Sequence, residues 1–351
     1  MRKSLDESQS REFVFLSLKG NEFSRSKNYH NGLLKSGYKS HWVDIDSNRK
    51  LSQLLDCKKQ YSRKNTTFVV ASPSHILVFF ARLALRQKVC LDSGWPLFDG
   101  VVLSRGEYGF LGLRALSIYL MDLFAFQFSS LIFLESSAQV DSVRSKYFIP
   151  RSKLVALETG FDENRVIKKK ESKVLGKPLI TVLFRGGAQL EAGLEVLIDA
   201  IKILRDRSEI RFIVASRGLK VDGKNLKNVI VYDEYLSDEE LWKLYGSADI
   251  VLGQLSKHAR LHKTLPHKFY EAGYFRKCYL TSNLGAISTF IEKGLAVGFL
   301  GDDSQSLVEA ITGLAKKKSL RNTLGRNLGN YYESNFSQEA LVMKLLSQMS
   351  R

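Results

Sequence analysis

The sequence is short of cysteine. Only Cys57, Cys90 and Cys278 are present, far apart in the chain. They are too few and too scattered for a disulfide framework or a metal site. Cys90 and Cys278 stand in apolar, strand-like runs, so reduced core thiols are expected. A secretory signal is missing as well: the start, Met1 to Lys19, is charged. Its apolar run, Phe13 to Leu18, falls short of the roughly 7–15 apolar residues such a signal needs. A cytoplasmic location is expected. No long apolar run goes uninterrupted. Ala115 to Leu134 comes nearest, but it carries Asp122 and Gln127 and breaks at Ser129-Ser130. A buried helix followed by a strand is expected there, not a membrane span. Short-period repeats and low-complexity segments are also lacking.

What remains is ordinary globular material: 351 residues, 44% apolar and 25% charged. The length suits two domains of roughly 150–200 residues. The net charge is +17, spread over both halves rather than gathered in a tail. Such a balance suits an anionic substrate, an anionic membrane surface or nucleic acid. The basic residues do not cluster with aromatics in an RNA-binding motif, which sets nucleic acid aside.

The chain alternates strand-like and helix-like stretches. Glu12 to Leu18 predicts a strand, Gly20 to Ser26 a polar loop, Asn28 to Lys35 a helix stopped by Gly37, and His41 to Ile45 a second strand. That is the β-loop-α-β opening of a Rossmann-like half, whose first loop faces the ligand. Thr67 to Val70, Val89 to Asp92, Leu131 to Leu134 and Leu154 to Leu157 continue the strands, with helices around His75 to Arg86 and Leu111 to Phe128. The charge run Lys168 to Lys173 has no core face and predicts a linker. Beyond it the alternation restarts with strand Leu179 to Phe184, the loop Arg185-Gly186-Gly187-Ala188-Gln189 and helix Gly193 to Leu204. Strands Arg211 to Ala215, Val229 to Tyr232, Ile250 to Leu252 and Cys278 to Thr281 follow. Ser237 and Glu240 form a capping box ahead of a helix over Asp238 to Tyr245. Leu307 to Ala315 and Gln338 to Gln348 predict closing helices. The expected domains are 1–168 and 169–337, with the 338–351 helix packing back on the first.

Three segments of the second half point to an anionic ligand at the carboxyl ends of its strands. Gly186 and Gly187 after a strand let the backbone approach a phosphate, with Arg185 beside them; a plain β-α turn would use the same glycines. Arg260, Lys263 and Lys268 crowd the start of a helix opened by Pro266, where the helix dipole disfavours cations. A bound diphosphate would reconcile charge and dipole; solvated surface charge is the bland account. Glu271, one turn further in, can accept from two vicinal ribose hydroxyls or serve a buried salt bridge.

At these residues the sequence resembles the GT-B sugar-nucleotide glycosyltransferases, many of which carry a Glu-x7-Glu pattern. Leu265-Pro266-His267-Lys268-Phe269-Tyr270-Glu271-Ala272-Gly273 is similar to the family's N-K-x-x-E-A-x-A-x-G-K-P segment. Asp233 to Asp249 resembles its helix and strand before that segment, Gly301-Asp302-Asp303 with Leu307 a later element, and Glu135 to Gln139 with Ile149 to Asp162 the passage into the linker. Three departures stand out. Lys263 falls where the family's first glutamate would be, Arg185-Gly186 replaces Gly-Arg, and Ala192-Gly193 replaces Lys-Gly.

The resemblance implies an α/β GT-B fold, two Rossmann-like domains facing across a cleft. It implies a retaining, metal-independent glycosyltransferase of cell-surface polysaccharide synthesis. The donor would be a nucleoside-diphosphate sugar with no further cofactor, and the acceptor a glycan or lipid-linked glycan. Glu271 would bind the donor ribose. Arg185, with Lys263 or Lys268, would stabilise the leaving diphosphate beside Gly186 and Gly187. Arg260 would add charge, and Arg217 and Tyr235 would line the base. His258 and His262 lack a cysteine at ligand spacing, so no zinc is expected. The acceptor would sit on the first half, near Asp92 to Gly100 and the Gly20 to Arg25 loop, with Asp92 as general base or as a turn cap. Arg82, Arg86, Lys88, Arg114, Tyr119 and Phe124 would suit a peripheral seat on the inner face of an anionic membrane. The alternatives are an epimerase or phosphorylase on the same fold, or a non-catalytic partner subunit, since Lys263 replaces a glutamate.

Overall fold

The computed structural model describes residues 11–20, 24–61, 65–166, 179–187, 189–217 and 228–349. The expected linker at Lys168 to Lys173 lies outside the described residues, as do Ala188 and part of the Gly20 to Arg25 loop. The chain divides into two compact units, one of Met1–Glu163 with Phe336–Arg351 and one of Asn164–Asn335.

The first unit holds a parallel six-stranded sheet in the order β2-β1-β3-β4-β5-β6. Its strands are β1 (Glu12–Leu18), β2 (Lys39–Ile45), β3 (Thr66–Ala71), β4 (Val89–Gly94), β5 (Ile132–Leu134) and β6 (Leu154–Ala156). Helices α1 (Ser24–Lys35), α2 (Lys50–Tyr61), α3 (Leu77–Leu85), α4 (Leu113–Phe128) and α5 (Ser137–Tyr147) connect them. β1 pairs Leu16 with both Val43 and Val70, so it lies inside the sheet and reads as a continuous apolar run. One face packs Val14, Leu16, Phe68 and Val70 against the apolar sides of α3 and α4. The other packs Phe13, Phe15 and Val69 against α1 and the chain's last helix, α12 (Gln338–Met349).

α12 returns to this unit because α1 offers it a smooth face. A Cβ at Gly32 would lie 2.9 Å from Val342 Cγ2 and 3.0 Å from the Gln338 carbonyl. Lys344 pairs with Glu158 at 3.1 Å and Lys35 with Glu339 at 2.7 Å around the seam. Gly32→Ala is therefore expected to destabilise. Overpacking costs about 1–3 kcal/mol, set against about 1 kcal/mol regained in helix propensity. Gly246→Ala, in a helix with nothing near its Cβ, should be neutral or stabilising. Urea midpoints of the two variants shifting in the same direction would contradict this packing.

The second unit repeats the plan with a parallel sheet in the order β12-β11-β10-β7-β8-β9. Its strands are β7 (Ile180–Arg185), β8 (Ile210–Ala215), β9 (Val229–Tyr232), β10 (Ile250–Leu252), β11 (Cys278–Ser282) and β12 (Val297–Phe299). Its helices are α6 (Leu194–Ile203), α7 (Asp238–Ser247), α8 (His267–Tyr274), α9 (Ser288–Glu292), α10 (Ser304–Ala315) and α11 (Lys318–Asn335). The capping box expected at Ser237 forms, with the Glu240 amide donating to the Ser237 side chain and the Ser237 amide to Glu240. All three cysteines are free and buried.

One expectation needs correction. The Ala115 to Leu134 region does give a helix and then a strand, but the helix is buried on one side only. Asp122 turns inward and accepts from the Leu97 and Phe98 amides at 3.1 and 2.8 Å. Burial, opposed by those amides, pushes its carboxyl up to about 7. The opposite side of α4 exposes leucines and phenylalanines. Among the described residues no helix is long and apolar enough to cross a membrane.

Candidate active site

In the second sheet, β7 has β8 on one side and β10 on the other. Connections leave these neighbouring strands in opposite directions, which opens a crevice at their carboxyl ends. β7 delivers Arg185 there, followed by Gly186 and Gly187. The Gly186 amide donates to the Ala215 carbonyl at 3.0 Å. A Cβ at Gly186 would lie 3.3 Å from Lys268 Nζ, so glycine lets the backbone pass close beside that ammonium. At the start of α6, Gly193 has φ +66°, and its Cβ would fall 2.7 Å from the Ser256 amide nitrogen. Two backbones meet there, and no side chain fits. The loop after β10 is thereby clamped to the loop after β7.

Glu271 sits on the inward side of α8, 3% exposed. The Arg185 guanidinium grips it with both arms: Nε donates to Oε2 at 3.2 Å and Nη2 to Oε1. The Tyr245 hydroxyl, from α7, donates to Oε2. Burial raises the Glu271 carboxyl, but Arg185 and Tyr245 outweigh it and hold the group below the usual carboxylate range. For Arg185, burial works against the charge, yet Glu271 more than compensates and raises its pKa. The Arg185 side chain keeps 32% of its surface exposed. The arrangement is a fixed guanidinium with one face still open, held from behind by a carboxylate.

Lys268, a turn earlier on α8, is buried beside this pair. Its ammonium donates to the Gly253 carbonyl at 2.8 Å and to Gln254 Oε1 at 3.1 Å, and lies 4.1 Å from the centre of the Phe184 ring. Both acceptors are neutral. Burial, reinforced by the Arg185 charge, pulls its pKa down to about 7.

The other expected residues stand on neighbouring loops. Arg260 is paired with Glu191 at 2.8 Å. Lys263 closes a 3₁₀ turn at Ala259–His262, its amide donating to the Arg260 carbonyl at 3.0 Å. Arg217 is exposed in the turn after β8, and Tyr235 is 89% exposed between β9 and α7. The structure thus joins Arg185, Gly186, Lys268 and Glu271 by contact. It leaves Gly187, Arg217, Tyr235, Arg260 and Lys263 along the same sheet edge.

Tyr245 was missed. Its signal was present: Trp242 and Tyr245 share the buried side of α7, and a buried tyrosine hydroxyl needs a partner. Gln254 and Glu191 were missed too, because nothing local marks them.

In the first unit Asp92 ends up 2.6 Å from Arg25 Nε, with Ser26 Oγ donating to its other oxygen at 2.6 Å. Arg25 also donates to the Leu157 carbonyl at 2.8 Å and is fully buried. Both carboxylate oxygens of Asp92 are thus committed to the α1 start. Among the described residues no cluster of three or more His, Cys, Asp or Glu could hold a metal.

Residues 165–330 match the family model of group 1 glycosyl transferases. No curated protein matches the sequence. Among solved structures, Anabaena HepE in complex with UDP is similar over 97% of this chain and 99% of its own, at 13% identity and TM-score 0.68. Sucrose-phosphate synthase from Thermosynechococcus elongatus is similar over 97% and 98%, at 13% identity and TM-score 0.68. A putative UDP-N-acetylglucosamine 2-epimerase from Listeria monocytogenes is similar over 97% and 96%, at 8% identity and TM-score 0.61. The fold is therefore GT-B. That an epimerase shares it means the fold alone does not name the reaction.

Proposed function

We propose, from the match of residues 165–330 to the group 1 glycosyl transferases within a GT-B fold, that this chain transfers a sugar from a UDP-sugar to a glycan or lipid-linked acceptor in cell-surface polysaccharide synthesis. The observation that carries the reading is the Arg185–Glu271 pair beside Lys268, against the Gly186 backbone at the β7–β10 switch point. One open guanidinium face, one buried ammonium and a close-approach glycine converge on one spot, which is what a diphosphate needs. UDP is preferred over other diphosphates because Anabaena HepE, of similar fold, was solved with UDP. In this reading Arg185 and Lys268 take the charge that develops on the leaving β-phosphate, so cationic side chains do the work that a metal does elsewhere. Sugar transfer proceeds with retention, as the resemblance implies. The acceptor belongs to the first unit, and the protein works at the inner face of an anionic membrane. Since Asp92 is tied to Arg25 and Ser26, its role is to hold the α1 start and not to take the acceptor proton.

The test is calorimetric titration with UDP, GDP, ADP and CMP. UDP at about 100 times its dissociation constant should add about 2.7 kcal/mol of stability. No affinity for any of the four would end the reading.

A proton count sharpens the test. In the unfolded chain Lys268 titrates near the ordinary lysine value of about 10.4; folded, it titrates at about 7. Between those values the unfolded chain binds more protons, so stability rises with pH across that window. Below it both states are charged and the burial penalty is complete. A diphosphate beside Lys268 would restore the charged form. UDP binding near pH 8 should then take up close to one proton, read from binding enthalpies in buffers of different ionisation enthalpy. Lys268→Met should abolish the uptake. Equal uptake in both proteins would place the proton elsewhere.

A further inference from the structure

We propose that the outer face of α3 and α4, with the loop entering α4, docks on an anionic lipid bilayer, with Leu111 and Leu113 entering its interfacial layer. This gives residues to the membrane seat proposed above and rests on that reading for its purpose.

The starting observation is a helix with apolar residues on the wrong side. α4 already buries Ala115, Asp122, Ala125 and Phe126 in its own unit. Its opposite side repeats Leu113, Leu116, Leu120, Phe124 and Phe128 every three or four residues, all exposed. A solvent-facing helix side ordinarily carries charge. α3 does the same with Phe79 and Leu83. The two stripes are one surface, since Phe79 and Phe128 lie 5.9 Å apart and Phe124 and Phe128 lie 6.5 Å apart, centre to centre. At its end Leu111 is 93% and Leu113 86% exposed. An apolar patch of this extent on one surface marks an interaction site.

Charge selects the occupant. Residues 76–128 are all described, and their exposed cations are Arg82, Arg86, Lys88, Arg105 and Arg114. Glu107 is the one exposed acid of that stretch, and it is paired with Arg105. Asp99 is tied to Lys146 at 2.5 Å, while Asp92 and Asp122 are buried. A second copy of this chain would bring cationic rims together, which costs affinity. Acidic headgroups meet the cations while the acyl boundary receives the leucines and phenylalanines. The helices lie on the bilayer, since neither spans it. Of the aromatics expected on this face, Phe124 is on it. Tyr119 is not: its ring stacks on Tyr147 at 5.0 Å, and its hydroxyl donates to the Lys146 carbonyl.

The full chain is sedimented with vesicles of phosphatidylcholine alone and of phosphatidylcholine with phosphatidylglycerol, at low and high salt. The wild type should pellet with the anionic vesicles. The double variant Leu111→Asp, Leu113→Asp should lose roughly tenfold or more of its partitioning at either salt. Arg82→Ala and Arg114→Ala should each lose roughly fivefold at low salt and little at high salt. All these side chains are exposed, so folding is spared, as melting curves will show. A wild type left in the supernatant, or a double variant that pellets as the wild type does, overturns the proposal. So does a solution dimer that the double variant dissociates, which would give the face to a second copy. UDP titration of the same preparations separates the readings. Lost vesicle binding with unchanged UDP affinity supports the docking surface, while vesicle binding without UDP affinity ends the donor reading and leaves the surface standing.

Discussion

Glu271→Ala should melt well below the wild type and also bind UDP less tightly. The carboxylate is 3% exposed, and both of its oxygens are in use, one shared between Arg185 and Tyr245. Removing it leaves the Arg185 guanidinium without its counter-charge, beside Lys268, whose already lowered pKa loses the support of Glu271. Breaking a buried pair by deleting one partner costs about 3–5 kcal/mol. Arg185 is about one-third exposed, so solvent screening points to the lower end, about 3 kcal/mol. The orphaned Tyr245 hydroxyl adds to this without simple additivity. Because Arg185 and Tyr245 hold the Glu271 carboxyl below the usual range against the opposing effect of burial, the contribution is complete at neutral pH. It fades as acidification passes the unfolded value of about 4.3 and then the lower folded one. Glu271→Gln keeps the shape and an acceptor for Tyr245 and should fall between. Calorimetry well below the melting temperature should give a UDP loss of about 1–3 kcal/mol, the scale of hydrogen bonds to a charged group, because Arg185 loses the carboxylate that aims its open face. A Glu271→Ala protein that melts like the wild type would mean that the pair contributes nothing. One that melts early but binds UDP normally would leave the pair structural and take Glu271 out of the donor site.

The doubly wound plan was legible because its signals are local. β1, β9 and β10 have the expected bounds, each an apolar run closed by polar or glycine residues. α11 was not legible. Gly325 and Gly329 interrupt its pattern, and glycine is unfavourable inside a helix. In the structure they are where the helix lies flat on the turn ahead of β11: a Cβ at Gly325 would fall 2.3 Å from the Arg276 carbonyl oxygen, and one at Gly329 2.4 Å from Arg276 Cγ. Packing overrides propensity there. The site divides the same way. Arg185, Gly186, Lys268 and Glu271 could be placed from position: Arg185 ends a strand, Gly186 follows it, and Lys268 and Glu271 lie in the helix after Pro266. What they bond to could not be, because Arg185 and Glu271 are 86 positions apart and Tyr245 comes from a third element. Asp92 is the sharper case. Its turn context was visible, but its partner Arg25 lies 67 positions away, and that ion pair, not the turn, decides what the carboxylate is free to do.

The leaving group gives the largest kinetic effect. If Arg185 and its neighbours face the departing diphosphate, charge gathering on the β-phosphate oxygen is stabilised more in the transition state than in the ground state. Arg185→Ala should then lower turnover by roughly 10²–10³, the effect of losing one oxyanion-stabilising donor, and so should Lys268→Ala, or Lys263→Ala if the loop after β10 brings that ammonium to the same phosphate. Donor affinity should change less. Arg185→Ala also leaves Glu271 as an uncompensated buried carboxylate, so its rate must be measured on protein shown to be folded. Arg185→Lys keeps the charge but not the fork that grips both Glu271 oxygens, and it should recover only part of the rate. Lys263 is partly exposed at the end of a 3₁₀ turn, and the same check of folding applies to its variants. Lys263→Glu separates two roles. If position 263 does the work of the family's first glutamate, a glutamate there preserves or raises turnover. If Lys263 serves the phosphate, the reversed charge abolishes it. Near-wild-type turnover in Arg185→Ala, Lys263→Ala and Lys268→Ala alike would mean that the diphosphate binds elsewhere on the sheet edge.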